Sequence, residues 1–481
     1  MPVSQIPLAA LEQLKAALGP GGFLERPADT APFVHDFRGL FAGATPLVAL
    51  PANTEGVARV VRICAEHCIG IVPQGGNTSY CGGATPDDSA SQIVLSLKRL
   101  NRIRELRPLD YSITVEAGCI LAQVQEAASS VERLFPLSLG SEGSCQVGGN
   151  LATNAGGTAV LRYGMMRDLV LGLEVVLADG SVLDGLKGLR KDNSGYDLRH
   201  LFIGSEGTLG IITAACVKLF PQPADFVTAF VAVRDPAAAV ELLAAARSAS
   251  GDAVTTFELV PRLAVELTAR HIPGVSDPFT QRHDWYLLIE LTSSRPDSGL
   301  SGALEATLVK GIESGLVLDA TLAANLRQRE AFWRLRESVP EAQRSAGASI
   351  KHDISVPISA IAQFVARGGE WIAAHVPDGE LIAYGHLGDG NLHFNVQQRP
   401  GTDAQAFLAR APVIQRAIHD LVAGFRGSFS AEHGIGQLKI GELARYKDPV
   451  ALTLMRQLKR ALDPQGILNP GKVLGVSAPG A

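Results

Sequence analysis

The 481-residue sequence lacks several features that would assign it to a familiar class of protein. It has no stretch of about 18 consecutive apolar residues, so no bilayer-spanning helix is expected. It has no block of Lys and Arg, and the signs of its charges are interspersed at a net charge of −5, so nucleic acid is not an expected partner. The amphipathic N-terminal stretch has neither the charged start nor the apolar run of a secretion signal.

Cysteine is scarce, and its six residues all lie in the first half of the chain without a zinc-type spacing such as CxxC. A chain of this length does not need disulfides to fold, so a reducing compartment is expected. We predict the cytoplasm, with peripheral attachment to a membrane left open. Because no iron–sulfur cysteine cluster is present, electrons from any redox reaction would have to leave through a partner or a diffusible acceptor.

Two nucleotide-binding fingerprints are also missing, GxGxxG between a strand and a helix and GxxxxGK[ST]. Short strands and helices follow one another irregularly up to residue 222, which indicates an α+β domain rather than a regular βαβ repeat. The breaker Pro221-Gln222-Pro223 predicts a domain boundary. The strands and helices beyond it predict a ferredoxin-like antiparallel sheet with helices on one face. A helix over residues 325–339, stopped by Pro340, and a strand over residues 348–356 are expected next.

Glycine, in contrast, is abundant at 50 residues, and many of these glycines fall into three clusters, at residues 74–85, 140–157 and 204–210. Successive backbone N–H groups in such loops can bind an anionic group such as a pyrophosphate. One cluster alone is more often a simple turn. Three clusters in one domain favour a long cofactor that contains phosphate.

The strongest turn signal is Asp389-Gly390, within YGHLGDGNLHFN. A two-residue turn at this point places His386 directly opposite His393, with Cβ atoms roughly 5 Å apart on one face of the hairpin. Asn395 points to the same face. Two imidazoles in this arrangement can bind one metal ion.

A catalytic Zn²⁺ usually takes three protein ligands. Glu432 in SFSAEHGIG is the best candidate for the third ligand, and the adjacent His433 could move a proton. His and carboxylate ligands suit Zn²⁺, which we prefer, but also Fe²⁺, Co²⁺ or Mn²⁺.

Six motifs occur in a fixed order: PQGGNTSYCGG, SLGSEGSCQVGGNLATNAGG, IGSEGTLGIIT, GHLGDGNLHFNV, AEHGIG and GILNPGK. Through them the chain resembles the FAD-linked D-2-hydroxyacid dehydrogenases of the vanillyl-alcohol-oxidase superfamily, over about residues 30–475. The resemblance implies an FAD-binding domain of two subdomains at residues 1–222 and a substrate domain at residues 223–427 that carries the hairpin. It also implies a C-terminal segment, residues 428–481, that returns to the flavin.

The resemblance implies FAD bound without a covalent link, since members with covalent flavin often carry a His near the place of Asn77. It assigns the pyrophosphate to Pro73, Gly75, Gly76, Asn77, Thr78, Ser141, Gly148, Asn150, Thr153, Gly156 and Gly157. It assigns the adenosine and ribose to Glu206, Gly207, Gly210, Ile211 and Ile212. Asn469, in the C-terminal tail, would approach the flavin.

The metal ligands proposed from the hairpin agree with the zinc-dependent members, whose ligands match His386, His393 and Glu432. His433 matches the position of their base and would also contact the substrate.

Arg336 and Lys351 match positions that neutralise a distant carboxylate of the substrate, and Asn395 would contact its first carboxylate or its hydroxyl. A solvated helix face is the alternative for Arg336, and a strand-edge charge is the alternative for Lys351. Pro340 stands where some relatives have a hydroxyl, a departure that bears on whether a five-carbon diacid is preferred.

The implied reaction is oxidation of a D-2-hydroxy acid to a 2-keto acid, with hydride transfer to flavin N5. Members that act on D-2-hydroxyglutarate are the most similar, and D-malate, D-lactate and glycolate remain alternatives. Electron-transfer flavoprotein or a quinone would be the acceptor, and a homodimer is left open. Two other classes are weighed: a zinc hydrolase whose glycine loops bind a nucleotide, and a flavin subunit that is inactive outside a larger complex.

Overall fold

The computed structural model describes residues 6–475, which divide into two compact units. The first unit comprises the chain up to Gly157, Gly164–Gln222 and the chain from Glu432 onward. The second unit comprises Thr158–Tyr163 and Pro223–Ala431. Within residues 6–475 no helix combines the length and the apolar character needed to cross a membrane.

Two sheets and a short strand pair form the framework of the first unit. Its strands are β1 (Phe23–Leu24), β2 (Val48–Ala49), β3 (Gly70–Gln74), β4 (Gln92–Ser96), β5 (Ile103–Arg107), β6 (Ser112–Glu116), β7 (Arg133–Leu134), β8 (Val170–Val176), β9 (Val182–Asp184), β10 (Ile211–Lys218) and β11 (Phe220–Pro221). One sheet has the order β1-β2-β4-β3 and the other the order β5-β6-β10-β8-β9, while β7 pairs with β11. Every residue of β4 and β6 is buried, as in strands covered on both faces.

One large sheet organises the second unit. Its strands are β12 (Asp225–Val233), β13 (Val254–Pro261), β14 (Trp285–Ser293), β15 (Val317–Leu322), β16 (Ser349–Ile350), β17 (Asp353–Ser355), β18 (Gly379–His386) and β19 (Asn391–Gln398). Their order is β15-β12-β14-β13-β18-β19-β16, with β17 also paired to β19 and every pairing antiparallel. The predicted antiparallel sheet is therefore present.

The α-helices fill the intervals between these strands. They are α1 (Leu8–Leu18), α2 (Pro27–Thr30), α3 (Thr54–Glu66), α4 (Leu121–Ser129), α5 (Val147–Ala152), α6 (Val160–Tyr163), α7 (Met166–Leu169), α8 (Arg199–Phe202), α9 (Pro236–Ser250), α10 (Arg262–His271), α11 (Leu300–Glu313), α12 (Leu326–Glu337), α13 (Val339–Ala346), α14 (Ile361–His375), α15 (Ala404–Ala409), α16 (Ala411–Gly424), α17 (Ile440–Tyr446) and α18 (Pro449–Leu462). Short 3-10 turns lie at Ala31–Phe33 and Ile358–Ala360.

Helices cover both faces of the large sheet, so the expectation of helices on one face is wrong. Alternate residues of β12 point to opposite sides, with Ala229 and Val231 in one core and Phe230 in the other. The first core includes side chains of α9, α11, α14 and α16, and the second includes side chains of α10, α12 and α13. A strand buried on both faces can be apolar throughout, which hides the period-two signal.

Two predicted elements are divided in the structure. The helix expected over residues 325–339 is α12 followed by α13, and Pro340 lies in the first turn of α13 instead of ending a helix. The missing N–H of proline costs nothing there, because the first turn has no intrahelical acceptor for it. The strand expected over residues 348–356 is β16 followed by β17, and Lys351 and His352 form the gap.

Candidate functional site

The two predicted histidine ligands lie on the hairpin of β18 and β19 in the second unit, but their register differs from the prediction. Tyr384, not His386, pairs with His393. The shift is two residues, and a shift of two leaves each side chain on its face, so the two histidines remain neighbours. Their ring centroids are 6.1 Å apart, and one ring nitrogen of each lies within 4.8 Å of the other.

The hairpin loop is longer than a two-residue turn because the rest of the unit holds it. Gly390 has a φ of +87°, and a Cβ there would lie 2.2 Å from the carbonyl oxygen of Val356. Gly385 has a φ of +142°, and the N–H of Leu387 donates to its carbonyl at 2.9 Å. Only glycine fits these backbone conformations without strain. The loop lies against the segment around Val356, whose N–H donates to the carbonyl of Gly390 at 3.1 Å.

His386 has a carboxylate as its cross-strand neighbour. Glu258 on β13 pairs directly with His386, and its Oε1 bonds the imidazole Nδ1. Its Oε2 accepts from Nε of Arg336 at 2.7 Å and lies 2.6 Å from Nη2. The three side chains therefore form a buried chain, Arg336–Glu258–His386, on one face of the sheet.

The charge of Glu258 decides which hydrogen bond His386 makes with it. Burial of Glu258 opposes its ionisation, but Arg336 and His386 outweigh that effect and lower its pKa to about 2. An ionised carboxylate can only accept a hydrogen bond, so Nδ1 of His386 donates to Glu258, and Nε2 is the candidate metal-binding nitrogen of the ring. Metal-binding histidines commonly have such a carboxylate partner. Glu258 was not among the predicted site residues, although an acidic residue inside the apolar run of β13 was a visible signal.

Arg336 is buried beside Glu258. It is 7% exposed, so a solvated helix face is excluded, and its guanidinium lies 4.9 Å from the ring of Tyr384. Its charge faces a carboxylate of the protein, Glu258.

The other predicted substrate residues of the second unit differ from each other in exposure. Lys351 is exposed in the gap between β16 and β17. Asn395 is buried, and its Oδ1 accepts from the N–H of His352 at 3.1 Å while its Nδ2 donates to Gln343 at 3.1 Å. The amide of Asn395 therefore has bonds that hold β19 to its neighbours.

The three glycine-rich stretches converge within the first unit. A Cβ on Gly75 would lie 3.5 Å from Oε1 of Gln146 and 3.6 Å from the backbone nitrogen of Gly149. A Cβ on Gly207 would lie 2.9 Å from the ring of Pro73. Stretches that are far apart in sequence thus meet at one place.

Buried polar atoms at this place fit a ligand. Oε1 of Gln146 and Oδ1 of Asn469 have no hydrogen-bond partner among residues 6–475, and buried oxygens of this kind normally have one. Gly149 has no atom within 4 Å of the position a Cβ would take. A cofactor with many hydrogen-bonding groups suits these loops.

Further predicted flavin residues lie in the same unit with defined local roles. Asn77 has a φ of +54° and donates to the carbonyl of His35 at 2.7 Å. Thr153 donates to the carbonyl of Gly149 at 3.0 Å. A Cβ on Gly157 would lie 2.0 Å from a backbone oxygen. The rest of this group, also in the first unit, is Gly76, Thr78, Ser141, Gly148, Asn150 and Gly156.

The residues predicted near the adenosine have defined contacts within the first unit. Both oxygens of Glu206 bind backbone N–H groups, those of Ile435 and Gly436. Burial raises the pKa of this carboxyl, against the effect of the two N–H groups. Ile211 and Ile212 are buried, and a Cβ on Gly210 would meet Val175 and Phe202.

Glu432 and His433 begin the last segment of the first unit. The N–H of Gly157 donates to Oε1 of Glu432 at 2.9 Å. The ring of His433 meets that of Tyr80 edge-on, with centroids 4.7 Å apart.

Comparisons with known proteins cover almost the whole chain. The family described as "FAD linked oxidases, C-terminal domain" matches residues 222–473, and "FAD binding domain" matches residues 45–185. The mitochondrial D-2-hydroxyglutarate dehydrogenase of Bos taurus is 40% identical over 478 residues, which cover 99% of this chain and 85% of the relative. That of Arabidopsis thaliana is 39% identical over 441 residues, 91% of this chain and 77% of the relative.

Among solved structures, p-cresol methylhydroxylase with substrate bound has a TM-score of 0.75 at 20% identity, covering 97% of this chain and 96% of that one. The expected α+β fold of the flavin-binding type is therefore confirmed.

Proposed function

This chain belongs to the family of FAD-linked oxidases, and from that membership we propose that it oxidises a D-2-hydroxy acid to the 2-keto acid. D-2-hydroxyglutarate is the proposed substrate, because relatives that match most of the chain carry that name. D-malate, D-lactate and glycolate are the alternatives. The observation that carries the proposal is the convergence of three glycine-rich stretches around buried oxygens that lack a partner among residues 6–475.

The first unit would hold FAD without a covalent bond. Backbone N–H groups of Gly75, Gly76 and Gly149 are the proposed donors to the pyrophosphate, while that of Gly148 donates to the carbonyl of Ala117 at 2.7 Å. Asn469 would turn its Oδ1 toward the cofactor, since its Nδ2 already donates to Gly83 and Glu206. When bound, FAD accepts the hydride from the carbon that carries the hydroxyl.

The second unit would supply two of three ligands to a divalent metal, Zn²⁺ by preference. His386 and His393 offer ring nitrogens at a suitable separation, and Glu432 is the proposed third ligand. Glu432 directly follows Ala431, whose N–H donates at 3.3 Å to the carbonyl of Asp353, the cross-strand partner of His393. A bound divalent ion would act as a Lewis acid toward the substrate hydroxyl.

His433 is the proposed base that accepts the hydroxyl proton, because an imidazole changes its charge near neutral pH. The edge-on contact with Tyr80 restricts the rotation of its ring. A restricted ring keeps one nitrogen directed to the proton that it removes.

Recognition of the far end of the substrate is assigned to Lys351, which is exposed. Arg336 and Asn395 have protein partners, so we propose that they shape the site through Glu258 and through Gln343. Pro340 offers no hydroxyl, which leaves Lys351 as the main proposed contact to a second carboxylate. Replacement of Lys351 by Met should therefore reduce turnover of diacids more than that of D-lactate.

Electron-transfer flavoprotein or a quinone is the proposed acceptor of the electrons, and a homodimer is the proposed assembly. No disulfide joins any of the six cysteines, all of which lie within residues 6–475, and this suits the reducing conditions of the cytoplasm.

The purified protein tests these proposals directly. Bound flavin should give an absorbance band at about 450 nm. The protein should also oxidise D-2-hydroxyglutarate when an artificial electron acceptor is supplied. Chelation should abolish turnover and added Zn²⁺ should restore it. A protein with flavin but without turnover on all four hydroxy acids would refute the proposed reaction, and full activity of a verified metal-free sample would remove the metal.

A further inference from the structure

Glu206 binds the loop that carries the two proposed catalytic-site residues Glu432 and His433. Its Oε1 accepts from the N–H of Ile435 at 2.7 Å, and its Oε2 accepts from the N–H of Gly436 at 2.8 Å. One carboxylate thus receives two successive backbone donors, an arrangement that fixes both the position and the direction of a loop.

The loop has a conformation that matches this carboxylate closely. Gly434 and Gly436 have φ values of +72° and +52°. A Cβ on Gly434 would lie 2.7 Å from Oε1 of Glu206, and a Cβ on Gly436 would lie 2.1 Å from the carbonyl oxygen of Cys81. The motif HGIG therefore needs glycine at both places so that its backbone can approach Glu206 and Cys81.

The backbone of Glu206 is itself held in a strained conformation, with a φ of +51°. Its N–H donates to the carbonyl of Ala152 at 2.8 Å, and its carbonyl accepts from Nδ2 of Asn469 at 2.7 Å. Ala152 ends α5 in the second glycine-rich stretch, and Asn469 belongs to the tail. Strain of this kind persists where the surroundings fix it, and it clusters at functional sites.

We propose that Glu206 is a positioning residue that ties the loop of Glu432 and His433 to the glycine-rich stretches of the flavin site. This role rests on the proposed function, in which Glu432 binds the metal and His433 takes the proton. It replaces a contact to the cofactor ribose as the role of the Glu206 side chain. The side chain acts through the backbone of Ile435 and Gly436 and not on the substrate.

The test compares Glu206→Gln with Glu66→Gln in the flavin-loaded protein. Gln keeps the size of the side chain but offers one acceptor oxygen, so one of the two backbone N–H groups would face an amide NH₂. Glu66 is exposed at the end of α3 and serves as the matched control. Three quantities are measured: flavin absorbance, hydrogen exchange of a peptide spanning residues 432–437, and kcat/KM across pH.

For Glu206→Gln we expect full flavin content, exchange at Ile435 and Gly436 at least about tenfold faster, and kcat/KM about 10–100-fold lower. Glu66→Gln should match the wild type in all three. Unchanged exchange, or faster exchange with unchanged kcat/KM, would overturn the positioning role. Loss of flavin from Glu206→Gln would also overturn it, since the side chain would then serve the cofactor.

Variants Glu432→Ala and His433→Ala, measured in parallel, separate this inference from the proposed function. If both are inactive while Glu206→Gln is normal, only the positioning role fails. If both remain active, the proposed function fails.

Discussion

Replacing Glu258 by Gln tests whether one buried carboxylate supports both the fold of the second unit and the proposed metal site. Glu258 is 1% exposed and lies between Arg336 and His386. The Gln variant leaves the buried guanidinium of Arg336 without a counter-charge. Breaking a buried ion pair by removing one partner costs about 3–5 kcal/mol in the free energy of unfolding.

A double variant separates the pair from its surroundings. Glu258→Gln combined with Arg336→Met removes both charges, so no uncompensated charge stays buried. The double variant should be more stable than Glu258→Gln alone, with a coupling free energy of at least about 1 kcal/mol in a thermodynamic cycle. Denaturant unfolding of the four proteins measures these differences.

The same substitution should weaken the metal site, because Gln no longer holds the Nδ1 proton of His386 with a full negative charge. Metal affinity, measured by competition with a chelator, should fall about 10–100-fold. Glu290 gives the matched control, since it is a buried carboxylate on β14 that binds Arg329 at 2.7 Å. Glu290→Gln should destabilise the protein but leave metal affinity unchanged. Equal metal affinities for Glu258→Gln and the wild type would refute the assigned role of Glu258.

Three further predictions follow from single contacts. His433→Ala should abolish turnover yet keep the flavin absorbance, and near-normal rates would show that His433 is not the base. Gly390→Ala should destabilise the protein by about 1–3 kcal/mol, because the φ of Gly390 is +87° and a Cβ would lie 2.2 Å from the carbonyl oxygen of Val356. Gly302→Ala on α11 is the control, since a Cβ there has free space. Equal free energies of unfolding for the two variants would contradict this prediction. Burial raises the pKa of Glu116, but Arg102 and Arg104 lower it by a larger amount, so the pKa is lower in the folded protein than in the unfolded chain. The ionised Glu116 therefore stabilises the fold above its unfolded pKa, and this contribution is lost as the pH falls through its folded pKa. Glu116→Gln should therefore lose less stability than the wild type between pH 7 and acid, and identical losses would argue against this ion pair.

Local pattern was sufficient for many elements of the fold. The β-branched run of residues 112–116 forms β6, and α3 begins after Asn53, whose side chain accepts from the N–H of Gly56 at 2.8 Å. Periodicity and capping chemistry act over a few residues, so they can be read from sequence. The face shared by His386 and His393 was predicted for the same reason, because it depends only on the alternation of side chains along a strand.

The tertiary structure decided the register of the hairpin and the partners of its charges. Gly390 in the turn lies against Val356, and Glu258, 128 positions from His386 in sequence, is the cross-strand neighbour of His386. Arg336 is buried and pairs with that carboxylate. The individual residues assigned to flavin, metal and substrate, and the metal itself, remain predictions.

The sequence by itself determined which residues alternate, cap and turn, and which motifs place the chain in its family. Only the folded chain decided which carboxylate meets which donor, as when Glu206 meets Ile435 from 229 positions away. A buried charge must find a partner to offset its lost hydration, and that partner is chosen by strand pairing and loop packing across the whole unit. Such a long-range partner cannot be predicted from the local sequence pattern.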